Sequence, residues 1–265
     1  MTYGSGKYEW SAPYKPGQTA PYKISRSKID LFINCPRCFW LDARLKISRP
    51  KGPPFTLNSA VDGLLKKEFD ALRKDGKQHP LQIEYGIDAR PVNHDKLNVW
   101  RHNFTGVQFL HEPTNLLVFG AIDDLWQDSK GQYIVLDYKS TSKAGKITEL
   151  GNESWHDAYR RQLGVYQWLL RQNGLPVSDK GYWLYCNADK NGKTFGKKLE
   201  FELTLIEEKI DDKWVEPTLL EIKKTLDSDE MPKDAATCEH CGYARSRTEL
   251  TLNHLKDKKT TKTRS

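Results

Sequence analysis

Apolar side chains recur every three or four residues in two long segments, which is the spacing of an amphipathic helix. The first segment begins at Asn58 or Ser59, either of which can cap a helix, and it ends before Gly76. The second segment runs from Trp155 to Gln172. The pattern therefore predicts two long helices, each with one buried side.

Three shorter segments also have helical spacing. Ser25 or Ser27 can cap a helix that Pro36 should end, because proline disfavours helical backbone in the residue before it. Two further helices are predicted near Lys96 to Asn103 and over Trp214 to Leu226.

Between the long helices the pattern changes to the alternation that is typical of strands. Leu116 to Trp126 and Tyr133 to Ser140 are predicted strands, and the turn residues 129–131 between them predict a hairpin. Two more strands are predicted over Tyr182 to Asn187 and Lys197 to Leu205. The order helix, strand, strand, helix, strand, strand predicts one α/β core.

Composition narrows the class of protein. The chain has 265 residues, of which 37% are hydrophobic and 29% are charged, which excludes a fibrous or wholly disordered protein. Its longest apolar runs are far shorter than the roughly 20 residues of a membrane helix, so no membrane partner is expected. The first ten residues contain no apolar signal segment, and we expect a reducing, cytoplasmic location.

The net charge is +7, which favours a polyanionic partner such as DNA. Much of this excess lies in residues 254–265, which contain several lysines and one arginine but a single acid, Asp257. This segment is equally well explained as a solvated tail, so the body of the protein is only mildly basic.

The predicted hairpin carries the most informative acids. Asp137 and Lys139 share one face of its second strand, and Asp123 or Asp124 on the first strand should lie beside Asp137. Neighbouring carboxylates repel each other, and a divalent cation relieves that repulsion. Such a cation could activate water for phosphodiester hydrolysis. For an isolated Asp-x-Lys pattern the simpler explanation is an ordinary salt bridge.

Three motifs in a fixed order favour the metal site over the ordinary salt bridge. Residues 120–123 (GAID), residues 137–139 (DYK) and the pair Gln162 and Tyr166 resemble the G-x-x-D, D-x-K and Q-x-x-x-Y motifs of RecB-type PD-(D/E)XK nucleases. The resemblance covers roughly residues 25–245. It implies a restriction-endonuclease-like core, in which a central mixed β-sheet is flanked by helices.

The resemblance also implies roles for individual residues. Asp123 and Asp137 would bind Mg2+ or Mn2+, and the carbonyl of Tyr138 would join them. Lys139 would position the attacking water. Asp124 is the register alternative to Asp123.

Helical residues complete the implied site. Gln162 and Tyr166 would orient the active site or contact the DNA strand. Related nucleases often place a metal-binding histidine on a helix before the sheet, but here Asp62 holds that place. Asp62 is either a further ligand for the hard cation or an exposed helix acid.

Four of the five cysteines form two C-x-x-C pairs: Cys35 with Cys38, and Cys238 with Cys241. Their spacing suits a four-thiolate clasp that holds either zinc or an iron–sulfur cluster. The resemblance to CRISPR-associated RecB-type exonucleases and AddB-type nucleases favours a 4Fe–4S cluster. Those proteins usually have one early and three late cysteines, so the metal stays open, with Zn2+ as the alternative.

Basic and aromatic residues lie together on the second long helix. Arg160 and Arg161, beside Trp155 and Tyr159, suit phosphate contacts and base stacking with single-stranded DNA. The alternative is that these are core aromatics with a solvated charged face.

These features predict the following organisation. Residues 1–24 form an irregular arm and residues 25–245 a single nuclease domain, in which 25–57 and 231–245 make the clasp; residues 246–265 form a basic tail. The predicted function is a metal-dependent deoxyribonuclease, an exonuclease or single-strand-end nuclease. Partners in this interpretation are DNA with free ends, and a separate helicase or CRISPR adaptation proteins. The alternatives are a catalytically inactive DNA-binding scaffold and a site-specific restriction endonuclease.

Overall fold

The computed structural model describes residues 12–262, with side chains to residue 256. The described chain divides into two compact units. The larger unit takes in residues 21–26 and 52–219, and the smaller one takes in the described residues outside these ranges. The predicted domain boundaries remain a prediction, and the first eleven residues of the predicted arm lie outside the described part.

The strands lie in the larger unit. They are β1 (Tyr22–Ser25), β2 (Ala89–Pro91), β3 (Val107–His111), β4 (Leu116–Gly120), β5 (Asp124–Asp128), β6 (Tyr133–Thr141), β7 (Val177–Ala188) and β8 (Phe201–Lys209). Within the described residues they form two sheets, of order β1-β4-β3 and β2-β5-β6-β7-β8. In the five-stranded sheet β6 and β7 run parallel and the other pairs antiparallel, so the sheet is mixed as expected.

The helices fall in both units. They are α1 (Arg26–Asn34), α2 (Pro36–Leu45), α3 (Thr56–Lys74), α4 (Pro80–Glu84), α5 (Leu97–Trp100), α6 (Ser154–Gln172), α7 (Val215–Asp227) and α8 (Glu239–Lys262). The boundary between the units passes through α7, and α1 has only its first residue in the larger unit. No helix in the described part is both long and apolar enough to cross a bilayer.

Opposite faces of β6 meet the two long helices. Leu136 and Tyr138 of β6 pack with Leu65 and Phe69 of α3 in one hydrophobic cluster. Asp137, which alternates with them, receives a hydrogen bond from α6. The side chains of the sheet are therefore divided between an apolar face under α3 and a face with polar groups under α6.

The predicted strand over Leu116 to Trp126 is wrong as one element. The structure has two strands there, β4 and β5, and they belong to different sheets. The chain leaves the first ladder after Gly120, and the amide of Ile122 donates to the carbonyl of Trp100, 3.1 Å away, rather than to a strand neighbour. This break lies immediately before Asp123.

The observed helix ends differ from several of the predicted ones. α3 begins before Asn58, whose side-chain amide donates to the carbonyl of Ser140 at 2.8 Å, so Asn58 is not the predicted cap. α5 is shorter than the predicted helix over 96–103. Pro36 follows the end of α1 as predicted, but it also opens α2, since proline fits the first turn of a helix.

Regular structure extends into both predicted end segments. Residues 22–24, the last of the predicted irregular arm, belong to β1, which pairs in parallel with β4. The predicted basic tail, residues 246–265, continues as part of α8 up to Lys262. In β1, backbone hydrogen bonding overrides the lack of a regular apolar spacing, which was the signal for an irregular arm.

We predict that Gly120→Ala destabilises the protein. A β-carbon at this position would lie 2.7 Å from the ring of Tyr166, a side chain that is itself buried. Because a packed core yields little, we expect a loss of about 1–3 kcal/mol in the free energy of unfolding by urea. The matched control is Gly63→Ala in α3, where a β-carbon meets open space. This control should be neutral or slightly stabilising, and equal losses in both variants would contradict the prediction.

Candidate active site

A buried carboxylate lies in the middle of β6. Asp137 is 0% exposed, and its Oδ2 accepts a hydrogen bond from the ammonium group of Lys139. Its Oδ1 accepts from Nε2 of Gln162 on α6, at 2.6 Å. A charged oxygen that is removed from water needs such partners, and Asp137 has one for each oxygen.

Gln162 connects this pair to a third side chain. Its Oε1 accepts from Lys139 Nζ at 3.3 Å, and its Nε2 also donates to the hydroxyl of Tyr166 at 3.0 Å. Gln162 and Tyr166 lie one turn apart, so both point from α6 toward β6. The structure thus brings together the D-x-K and Q-x-x-x-Y residues.

Asp123 approaches the same place from the break before β5. Its Oδ2 accepts a hydrogen bond from the backbone amide of Tyr138 at 3.0 Å. Asp124, the register alternative, pairs with Leu136 in the ladder and lies on the other face. The geometry therefore favours Asp123 as the carboxylate that accompanies Asp137.

Asp124 is instead bound by other side chains inside the core. It is 0% exposed and bonds to Arg73, to Arg101 at 2.7 Å and to the phenol of Tyr138 at 2.8 Å. Two guanidinium groups neutralise this carboxylate inside the core. Tyr138 is consequently held at both ends, by its amide on Asp123 and by its hydroxyl on Asp124.

Burial perturbs the titration of the site. Loss of water raises the pKa of Asp137 to about 7; the nearby Lys139 ammonium opposes this effect and the Asp123 carboxylate adds to it. Burial also raises the pKa of the Tyr166 hydroxyl to about 12. Tyr166 is therefore a neutral hydrogen-bonding group at physiological pH.

Asp62 reaches the site from α3. Its Oδ2 lies 2.9 Å from Lys66 Nζ, and the same ammonium lies 3.6 Å from Oδ1 of Asp123. Burial raises the pKa of Asp62, and the charge of Asp123 raises it further. Asp62 thus lies near Asp123, one of the predicted metal ligands, and its own role as a ligand remains a prediction.

The three acids are not gathered as tightly as a loaded metal site would hold them. Within the described residues, only one group of three or more His, Cys, Asp or Glu side chains has all its ligand atoms within 4.8 Å of one another. That group is the four cysteines. Asp62, Asp123 and Asp137 therefore do not form such a group. In the structure their charges are balanced by lysines, namely Lys66 and Lys139.

A cleft of about 450 Å³ opens over these groups. It is lined by Phe55, Asn58, Ser59, Asp62, Tyr138, Lys139, Ser140 and Tyr159. The Lys139 ammonium lies 4.5 Å from the centre of the Tyr159 ring, a cation–π contact that further fixes its position. The site is thus accessible from solvent although Asp137 itself is buried.

The predicted DNA-binding arginines lie on α6, before Gln162. Arg160 bonds to both carboxylate oxygens of Glu208 and to Asp157. Arg161 lines a separate cavity of about 280 Å³ beside Trp214. The structure therefore does not gather these two arginines at the cleft, and their assignment to DNA remains a prediction.

The four predicted clasp cysteines converge in the smaller unit. Their sulfur atoms are 3.8 Å apart for Cys35 and Cys241, 3.6 Å for Cys38 and Cys238, and 3.5 Å for Cys38 and Cys241. Arg49 donates to the sulfur of Cys238 at 3.3 Å, which places a cation beside the thiols. The fifth cysteine, Cys186, is buried in the core cluster of the larger unit, as its strand pattern indicated.

The order and geometry of these motifs agree with the comparison to known families. A profile of the PD-(D/E)XK nuclease superfamily matches residues 61–246, which include every proposed active-site residue. The chain belongs to the PD-(D/E)XK nuclease superfamily. The comparison with curated proteins gave no match.

The site of this PD-(D/E)XK protein also contains residues that sequence reasoning missed. Lys66 was not singled out, although its spacing of four residues from Asp62 on a predicted helix is a recognisable pairing signal. Arg73 and Arg101, which neutralise Asp124, have no comparable signal. They are distant in sequence from Asp124 and meet it only through the fold.

We predict that Asp137→Asn stabilises the metal-free protein at pH 8 but not at pH 4. The folded-state pKa of about 7 lies above the ordinary 3.8, so the folded protein holds this proton more tightly. The resulting stability is complete below about 3.8 and is lost as the pH rises through 7. We expect the variant to gain on the order of 4 kcal/mol at pH 8 relative to pH 4, measured by urea unfolding with a chelator.

Asp189→Asn, at an exposed loop position, is the control and should show no such pH dependence. A gain for Asp137→Asn that is the same at both pH values would contradict the assignment of a buried, destabilising charge.

Proposed function

We propose that this protein is a metal-dependent DNA nuclease that hydrolyses phosphodiester bonds. The observation that carries the proposal is the buried carboxylate of Asp137, which is held by Gln162 and by Lys139, a residue that lines an open cleft. Above neutral pH a buried acid with a raised pKa lowers the stability of the fold, so its presence favours a functional role. Membership of the PD-(D/E)XK nuclease superfamily supports the same chemistry.

The donor atoms suit Mg2+ or Mn2+. Asp123 and Asp137 offer carboxylate oxygens, the Tyr138 carbonyl directly follows Asp137 in the chain, and Asp62 adds a further carboxylate at the cleft. Oxygen ligands of this kind are those that hard divalent cations prefer. When bound, such a cation supplies Lewis-acid polarisation of the phosphodiester and lowers the pKa of a water molecule.

The protein side chains orient the reaction. Lys139 is fixed between Asp137, Gln162 and the Tyr159 ring, so its ammonium can donate to an attacking water from one defined position. Gln162 prevents rotation of the Asp137 carboxylate by bonding to Oδ1, and Tyr166 in turn holds Gln162. We assign Gln162 and Tyr166 positioning roles.

Two exposed aromatic rings support a preference for single strands or free ends. Phe55, at the cleft, is 76% exposed, and Trp155, at the start of α6, is 50% exposed. Exposed rings of this size have an energetic cost in water, and they can stack on unpaired bases. Exonucleolytic or end-dependent cleavage is therefore our proposal for the substrate preference.

We predict that the purified protein cleaves end-labelled DNA with Mn2+ or Mg2+, and single strands faster than duplex. Asp137→Ala and Lys139→Ala should each lower the rate by about 100-fold or more, because each removes a group that acts on the reacting atoms. Lys130→Ala, an exposed turn lysine, should leave the rate unchanged.

Other outcomes would separate the alternatives. DNA binding without cleavage at any divalent cation would indicate an inactive scaffold. Discrete fragments from duplex DNA would indicate a site-specific endonuclease. Full activity in Asp137→Ala would contradict the assigned site.

We propose further that the four cysteines bind a single zinc ion. Thiolates about 2.3 Å from one tetrahedral ion lie about 3.8 Å apart. The sulfur–sulfur distances of 3.8, 3.6 and 3.5 Å in the structure are close to this value. A 4Fe–4S cluster binds each thiolate through a different iron and spreads the sulfurs further. The geometry thus favours zinc, which the sequence interpretation kept as the alternative to the cluster.

We predict a colourless protein with one zinc per chain after anaerobic purification, measured by elemental analysis and absorption spectroscopy. Cys38→Ser should lower the metal content and the melting temperature, because a structural metal stabilises the folded state. Cys186→Ser, outside the set, should keep its metal. A brown protein with iron and sulfide and a broad band near 400 nm would reject zinc in favour of the cluster.

A further inference from the structure

The place between two of the active-site carboxylates is already taken by a protein cation. Lys66 Nζ lies 2.9 Å from Asp62 Oδ2 and 3.6 Å from Asp123 Oδ1. Both acids lie at the proposed metal site, whereas Lys139 pairs with Asp137. Lys66 therefore bridges a carboxylate of α3 and one that precedes β5.

Burial makes this bridge more than an ordinary surface pair. The side chains of Lys66, Asp62 and Asp123 are only 24%, 35% and 25% exposed. Partly buried charges are screened less by water and salt than exposed ones, so the ammonium contributes substantially to balancing the two acids. An isolated pair four residues apart on an exposed helix would contribute little.

We propose that Lys66 is an intrinsic competitor of the divalent cation and sets the metal affinity of the site. This inference rests on the proposed function, because it concerns the same carboxylates. The ammonium and a divalent cation are attracted by the same oxygens, so metal binding requires the contact between Lys66 and Asp123 to break. The protein thus stays folded and charge-balanced without metal, and it loads metal only when the metal concentration is high enough to displace the lysine.

The arrangement also gives Asp62 a specific task. With Asp62 present, Lys66 has a partner to which it stays attached after it leaves Asp123. A histidine in place of Asp62 would not hold the ammonium in this way near neutral pH, since it carries no negative charge. Asp62 and Lys66 therefore act as one unit on α3, in which the acid retains the cation that competes for Asp123.

The test is Mn2+ titration of the full-length protein by calorimetry, comparing wild type, Lys66→Met and Lys67→Met. Lys67 is the adjacent exposed lysine, so its variant makes the same change in net charge without touching the site. We expect Lys66→Met to bind Mn2+ at least roughly tenfold more tightly than wild type, and Lys67→Met to bind within about twofold of wild type. Lys66→Gln, which keeps a polar end, is the second variant in case the methionine impairs folding, and it should also bind more tightly.

Equal or weaker Mn2+ binding by both Lys66 variants would overturn the inference, as would an equal gain in Lys67→Met. Melting in the presence of a chelator gives a second readout: both Lys66 variants should melt at a lower temperature than Lys67→Met, because two facing carboxylates lose their counter-ion.

DNA cleavage measured on the same proteins separates the competitor role of Lys66 from the proposed nuclease function. Cleavage by wild type with unchanged Mn2+ affinity in the Lys66 variants would reject only the competitor role. Tighter Mn2+ binding without cleavage by any of these proteins would reject only the nuclease.

Discussion

The site depends on keeping one carboxylate, Asp137, out of water. An ionised acid in that position is costly, and the fold offsets the cost with Lys139 on one oxygen and Gln162 on the other. The same hydrogen bonds fix the orientation of both partners. Under the proposed function, stability and activity therefore oppose each other at this residue, since the charge that weakens the metal-free fold is the one that would bind a divalent cation.

Proximity in the sequence does not determine which acids act together. Asp123 and Asp124 are adjacent, yet Asp123 lies in the break before β5 and bonds to the Tyr138 amide, whereas Asp124 opens β5 and lies in the core between Arg73 and Arg101. Tyr138 contacts both acids and so couples the position of the cleft floor to the packing of the core beneath it.

Much of this arrangement could be predicted from the sequence, and the failures have physical causes. The alternation around Asp137 and Lys139 and the one-turn spacing of Gln162 and Tyr166 are local periodicities, and the structure shows both. The break after Gly120 could not be predicted, because it depends on a hydrogen bond to Trp100, whose position only the fold determines. Composition likewise gave no indication of α8.

The sequence separation of the four cysteines has a consequence for how the protein is made. Cys38 and Cys238 are 200 positions apart, so the early pair leaves the ribosome long before its partners exist. During that interval the thiols of Cys35 and Cys38 lack the other two cysteines of the set, while the residues of the nuclease core are still being synthesised. Under the proposed zinc assignment, the ion that joins the four cysteines closes a very long loop, and loops of that length restrict the unfolded chain most. The supply of zinc during translation would then affect the yield of native protein.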